Sequence, residues 1–206
     1  MEQQQVLADL EYAKTLAEDG VKSPLVGGRF GLMWGVLLVI TFTVQWAFLS
    51  GTVELPQHYL GFLWLGFGVV GGIGTFLLDR SLRDKPGLRS VGNRLDNAIW
   101  LFFSLAMAAC FVGLLVYMST RGADYPMFDT MVAIGFAGQG MAYGTLSQVT
   151  GQRWMLLPAT AALLMAVVAF ALLATVVLYL VAAIGIVFTV VLPSVHQLRN
   201  EPADVS

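Results

Sequence analysis

Residues 154–195 form a run of about 42 positions without a charged side chain. As one helix at 1.5 Å per residue the run would be roughly 63 Å long. A bilayer core is about 30 Å thick, so the run has to fold back on itself in lipid. The spacing predicts two spans, 154–172 and 175–195, with a hairpin between them placed by length alone.

Four further apolar runs of bilayer length precede it, at 30–50, 59–78, 98–118 and 127–149. The reading is all-α: a polytopic membrane protein, a six-transmembrane-helix bundle over 30–195 with a short cytoplasmic tail at 196–206. Composition agrees, because 57% of the 206 residues are hydrophobic and 12% charged, against about 45–50% and 25% in soluble domains. Residues 1–29 hold five acidic and three basic side chains. They do not resemble a secretory leader, and the first apolar run reads as a retained anchor.

Basic residues set the orientation, because cytoplasmic loops carry the excess of Lys and Arg. Lys14, Lys22, Arg29, Arg80, Arg83, Lys85, Arg89, Arg94, Arg153 and Arg199 fall on one side of the six-span topology, and Arg121 alone falls on the other. Both termini are therefore expected in the cytoplasm, in a bacterial inner (plasma) membrane. Before the first span, Val6, Leu10, Ala13 and Ala17 recur at helical spacing and predict a short amphipathic helix over 3–18. Its polar face is acidic. The loop between the second and third spans carries Arg80, Arg83, Lys85, Arg89 and Arg94, and the acidic helix is expected to dock there or on another protein.

Glycines mark the expected helix contacts. In the second span Gly61, Gly68, Gly71, Gly72 and Thr75 fall within about a 100° arc, and Gly68 and Gly72 form a GxxxG pair that permits close backbone approach in lipid. Gly140 and Gly144 repeat the spacing in the fourth span. Thr41 and Gln45 on the first helix, with Asp129, Gln139, Tyr143 and Ser147 on the fourth, form a possible polar path, since polar side chains in hydrocarbon face protein or water. Asp129 is expected near the first turn of its helix and within reach of water.

No catalytic set is found. His58 and His196 belong to opposite sides of the membrane, Cys110 is the single cysteine, and paired intramembrane carboxylates, HExxH and phosphate loops are missing. No metal or cofactor is expected, and a net charge of −2 gives no reason to expect nucleic acid. The expected function is that of a non-catalytic subunit or regulatory partner, associating with membrane lipid and with a second copy or another membrane or cytoplasmic protein. The alternative is a small transporter or channel for a small neutral solute.

Overall fold

The computed structural model describes residues 5, 25–54, 56, 59–82, 90–122 and 125–201. These residues are helical almost throughout, and no strand occurs among them. The helices are α1 (Gly28–Leu49), α2 (Tyr59–Leu82), α3 (Val91–Arg121), α4 (Asp129–Thr150), α5 (Leu156–Ala171), α6 (Val177–Ile186) and α7 (Leu192–Arg199). A π-helical turn, Val187–Val191, joins α6 to α7 without a break. Pro193 lies just beyond it and has no N–H to offer the carbonyl four residues back, which accounts for an irregularity there. The amphipathic helix expected over 3–18, and Arg83, Lys85 and Arg89 of the basic loop, lie outside the described residues.

Five segments are long and apolar enough to cross a membrane: Gly28–Leu49, Tyr59–Leu82, Val91–Arg121, Arg153–Ala171 and Val177–Arg199. Helix α4 has 22 residues but is not among them. Asp129, Gln139, Ser147 and Gln148 lower its apolar character. The reason it tolerates them is visible in its surroundings, since Asp129, Gln139, Tyr143, Ser147 and Thr150 are all buried. Helix α4 therefore meets protein where the other long helices meet the exterior.

One core joins four helices. Phe42 of α1, Val132, Ala133 and Phe136 of α4, Ala162, Ala166 and Ala169 of α5, and Leu178, Ala182 and Ile186 of α6 belong to it. The alanines of α5 recur at three- and four-residue spacing, a narrow face that lets neighbouring backbones come close. In lipid that closeness, and the dispersion contact it brings, replaces the hydrophobic drive of a water-soluble core.

Helix α2 leans on the outside of α1 through edge-on ring contacts of Phe67 with Trp34 and of Trp64 with Phe42. Helix α3 lies against α4 through Trp100 on Tyr143. Both are peripheral: 6% of the apolar window of α2 and none of that of α3 is buried, against 56% for the α6–α7 rod.

Helix α3 has 31 residues, about 46 Å at 1.5 Å per residue. That exceeds the bilayer core by several turns. Its polar positions Asn93, Arg94, Asp96 and Asn97 crowd the first two turns, ahead of the apolar run from Ala98. Ser90 caps this end, accepting from the backbone N–H of Asn93 at 3.3 Å.

Candidate functional site

The hairpin between α5 and α6 is built around Asp129. The turn puts Ala174 at φ 61°, a left-handed conformation that costs a non-glycine residue roughly 1–2 kcal/mol. One carboxylate oxygen of Asp129 accepts from the backbone N–H of Ala174 at 2.9 Å, and the other accepts from the Tyr179 hydroxyl. Asp129 is 5% exposed. The expectation that water reaches it is thereby corrected, because the hairpin closes over the first turn of α4.

A second polar contact lies further along. Thr189 donates its hydroxyl to Oε1 of Gln139 at 3.2 Å. Both contacts join α4 to the α6 rod across a sequence offset of 50. Helices α4 and α6 run in the same direction, so Asp129 and Gln139 meet Tyr179 and Thr189 at equal spacing, ten residues or about 15 Å apart. Tyr179 and Thr189 were not singled out from the sequence. The matching spacing of isolated polar residues in two parallel helices was the available signal.

The remaining polar-path residues have separate partners. Gln45 accepts the indole N–H of Trp64 at 2.8 Å, and Thr41 is buried on the same helix. Ser147 donates to the carbonyl of Gln152 at 3.2 Å. Tyr143 packs edge-on to Trp100. An apolar groove of about 450 Å³ lies between α5 and α6, lined by Met165, Val181, Gly185, Phe188 and Thr189 among others. None of the six path residues lines it.

The glycines divide. Gly140 lies so close to α5 that an added Cβ would meet Leu163 at 2.6 Å and the Ala159 carbonyl at 3.0 Å; Gly144 looks onto Ala159 at 4.0 Å. In α2, Gly61, Gly68 and Gly72 have nothing within 4 Å. Among the described residues the expected GxxxG contact is therefore not made, because α2 meets α1 through the adjoining edge of that arc. There Gly71 lies under Trp34, and Thr75 accepts the Trp34 indole N–H at 3.1 Å. The close glycine contacts of α1 were not anticipated. Gly28, Gly31 and Gly35 share one face, and an added Cβ would meet Ser194 of α7 at 3.0 and 2.3 Å and Val190 at 3.0 Å.

At the end of the bundle that holds the termini, a polar cluster gathers around α3. Val26, just before α1, donates its backbone N–H to Oδ1 of Asn93 at 2.8 Å. Beside it, a Cβ on Gly27 would stand 2.5 Å from Oδ2 of Asp96. Asp96 is 3% exposed, and its Oδ1 has no hydrogen-bond partner among the described residues. The nearby N-terminus of α1 favours a carboxylate by about 0.3–1 kcal/mol. Loss of hydration costs an unpaired ion several kcal/mol, so burial wins. Burial raises the Asp96 carboxyl from its ordinary 3.8 to about 6, with Trp100 pulling it down by a smaller amount. Close by, Arg29 pairs with Glu201 at 3.3 Å, tying the start of α1 to the end of α7. Arg80 ends α2, and Arg94 is exposed on α3.

Among the described residues, no group of three or more His, Cys, Asp or Glu side chains is placed to hold a metal ion. Compared with protein-family models, with curated proteins and with solved structures, the chain matches none.

Proposed function

We propose that this chain is a non-catalytic inner-membrane protein that acts as a subunit or regulatory partner, and that the open face of α2 is where it associates. The observation that carries this reading is the set of glycines, Gly61, Gly68 and Gly72, where an added Cβ would meet no described residue, on a helix otherwise peripheral to the fold. Glycine is costly inside a helix, and close approach of another helix is a use for it in lipid. Membership of a six-span bundle follows if α4 crosses as well. Its 22 residues make about 33 Å of helix, and Asp129, Gln139 and Ser147 are turned to protein. The distribution of Lys and Arg supports both termini on the cytoplasmic side.

The transport alternative draws little support. Asp129 and Gln139 are engaged with Tyr179 and Thr189, as expected of interhelical joints.

Gentle extraction of wild type, Gly68→Leu and Gly72→Leu, followed by native mass spectrometry, tests the proposal. The wild type should carry a second copy or a co-purifying membrane protein, and both variants should lose it while remaining folded. Assembly unchanged in both variants sinks the reading.

A further inference from the structure

The polar cluster at the termini end contains a carboxyl that the association reading does not use. Residues 25–27 rest on α3 and α4: Leu25 and Val26 are buried, the Val26 amide is held by Asn93, and Gly27 lies against Asp96. Leu25 shares a small apolar cluster with Tyr143, Leu146, Met155 and Ala159, flanked by Trp100. Asp96 is thus roofed by the segment that leads into α1. No donor reaches its Oδ1 from any described element.

We propose that Asp96 is a proton-binding site that latches the segment before α1 onto α3, tight when the carboxyl is protonated and loosened when it is ionised. A neutral carboxyl can be covered by Gly27 with little loss. An ionised one, helped by Trp100 but with no donor at Oδ1, regains its hydration only if the cover lifts. Among the described residues, the groups around it do not supply a compensating charge. Tyr143 of α4 is the titratable group within its electrostatic reach, and a neutral phenol carries no positive charge. Arg94 on its own helix is exposed, Arg29 of α1 is engaged with Glu201, and residues 25–27 hold no ionisable side chain.

The sign follows from the two states. With the cover lifted, the carboxyl titrates near its ordinary value of about 3.9; with the cover on, it titrates near 6. The latch is therefore fully tight below pH about 4 and weakens as pH rises towards about 6, where the effect levels off. The opening constant should rise about tenfold per pH unit across that window, on the order of a hundredfold in all. Acidification on the side of the termini would tighten the N-terminal segment onto the bundle. This holds whether or not α2 recruits a partner.

Hydrogen–deuterium exchange at the Val26 amide, measured on the full chain in nanodiscs from pH 4 to 7 and corrected for the intrinsic rate, tests it. Protection in the wild type should fall on the order of a hundredfold, while the Ile186 amide in the core stays flat. Asp96→Asn should abolish the fall. A flat Val26 profile in the wild type, or an unchanged fall in Asp96→Asn, overturns the proposal. If Asp96→Asn does not fold, the wild-type profile at Val26 against Ile186 decides by itself.

Discussion

Helices α1 and α2 are both glycine-rich, and the two treat their glycines in opposite ways. On α1 the strip Gly28, Gly31 and Gly35 is filled by Ser194 and Val190 to the point where a single added carbon would clash. On α2 an added carbon at Gly61, Gly68 or Gly72 would meet none of the described residues. The same residue at helical spacing marks a completed joint in one case and a bare face in the other. What separates them is the partner. The α6–α7 rod lies across α1 and brings a serine and small β-branched residues to it, whereas α2 meets α1 edge-on through Trp34, Trp64 and Phe67, which covers Gly71 but leaves Gly61, Gly68 and Gly72 open.

The largest effect should come from filling the completed joint. Gly31→Leu forces a side chain into the space of Ser194, and overpacking of this kind costs about 1–3 kcal/mol or more. Thermal unfolding in detergent should show a marked drop in Tm, and an unchanged Tm would erase the contrast. Next comes the hairpin that holds the α6 rod in place. Asp129→Ala strands the buried Tyr179 hydroxyl, at about 1–3 kcal/mol, while Ala174 is exposed and its amide loses less. The same unfolding assay reads it, and Ala174→Gly in that background should recover part of the loss by relieving the left-handed residue. The smallest effect is the sharpest comparison, because Gly71 and Gly68, three residues apart on one side of the helix, differ in what stands over them. Gly71→Ala should destabilise by pushing on Trp34, while Gly68→Ala should be neutral or stabilising by up to about 1 kcal/mol through helix propensity. Equal Tm shifts for the two would mean that the covered and open edges of α2 are not distinct.

The broad architecture was legible in the sequence because length and apolarity are properties of a segment alone. Tyr59–Leu82 and Gly28–Leu49 could be placed within a few residues on that basis. The reach of α3 to Val91 was less visible, since an apolar run marks the lipid-crossing part of a helix and not the turns that project beyond it. Pairing was harder still. The glycine pattern of α2 announces that close approach is possible without saying to what, and the tighter pattern of α1 uses a mixed three- and four-residue spacing that GxxxG does not describe. Asp96 read as one charge among many in a basic loop. Its significance depends on Gly27 lying over it, a contact between residues 69 positions apart in the chain.

The offset of 50 shared by the Asp129–Tyr179 and Gln139–Thr189 contacts bears on how the protein is made. Chains emerge N-terminus first, so α4 reaches the insertion machinery carrying a carboxylate and an amide whose partners have not yet been synthesised. Such groups are poorly tolerated by hydrocarbon on their own. The two acceptors of α4 gain these partners only after some fifty more residues have followed. A single residue inserted between the two rungs of either helix would leave one rung unmade.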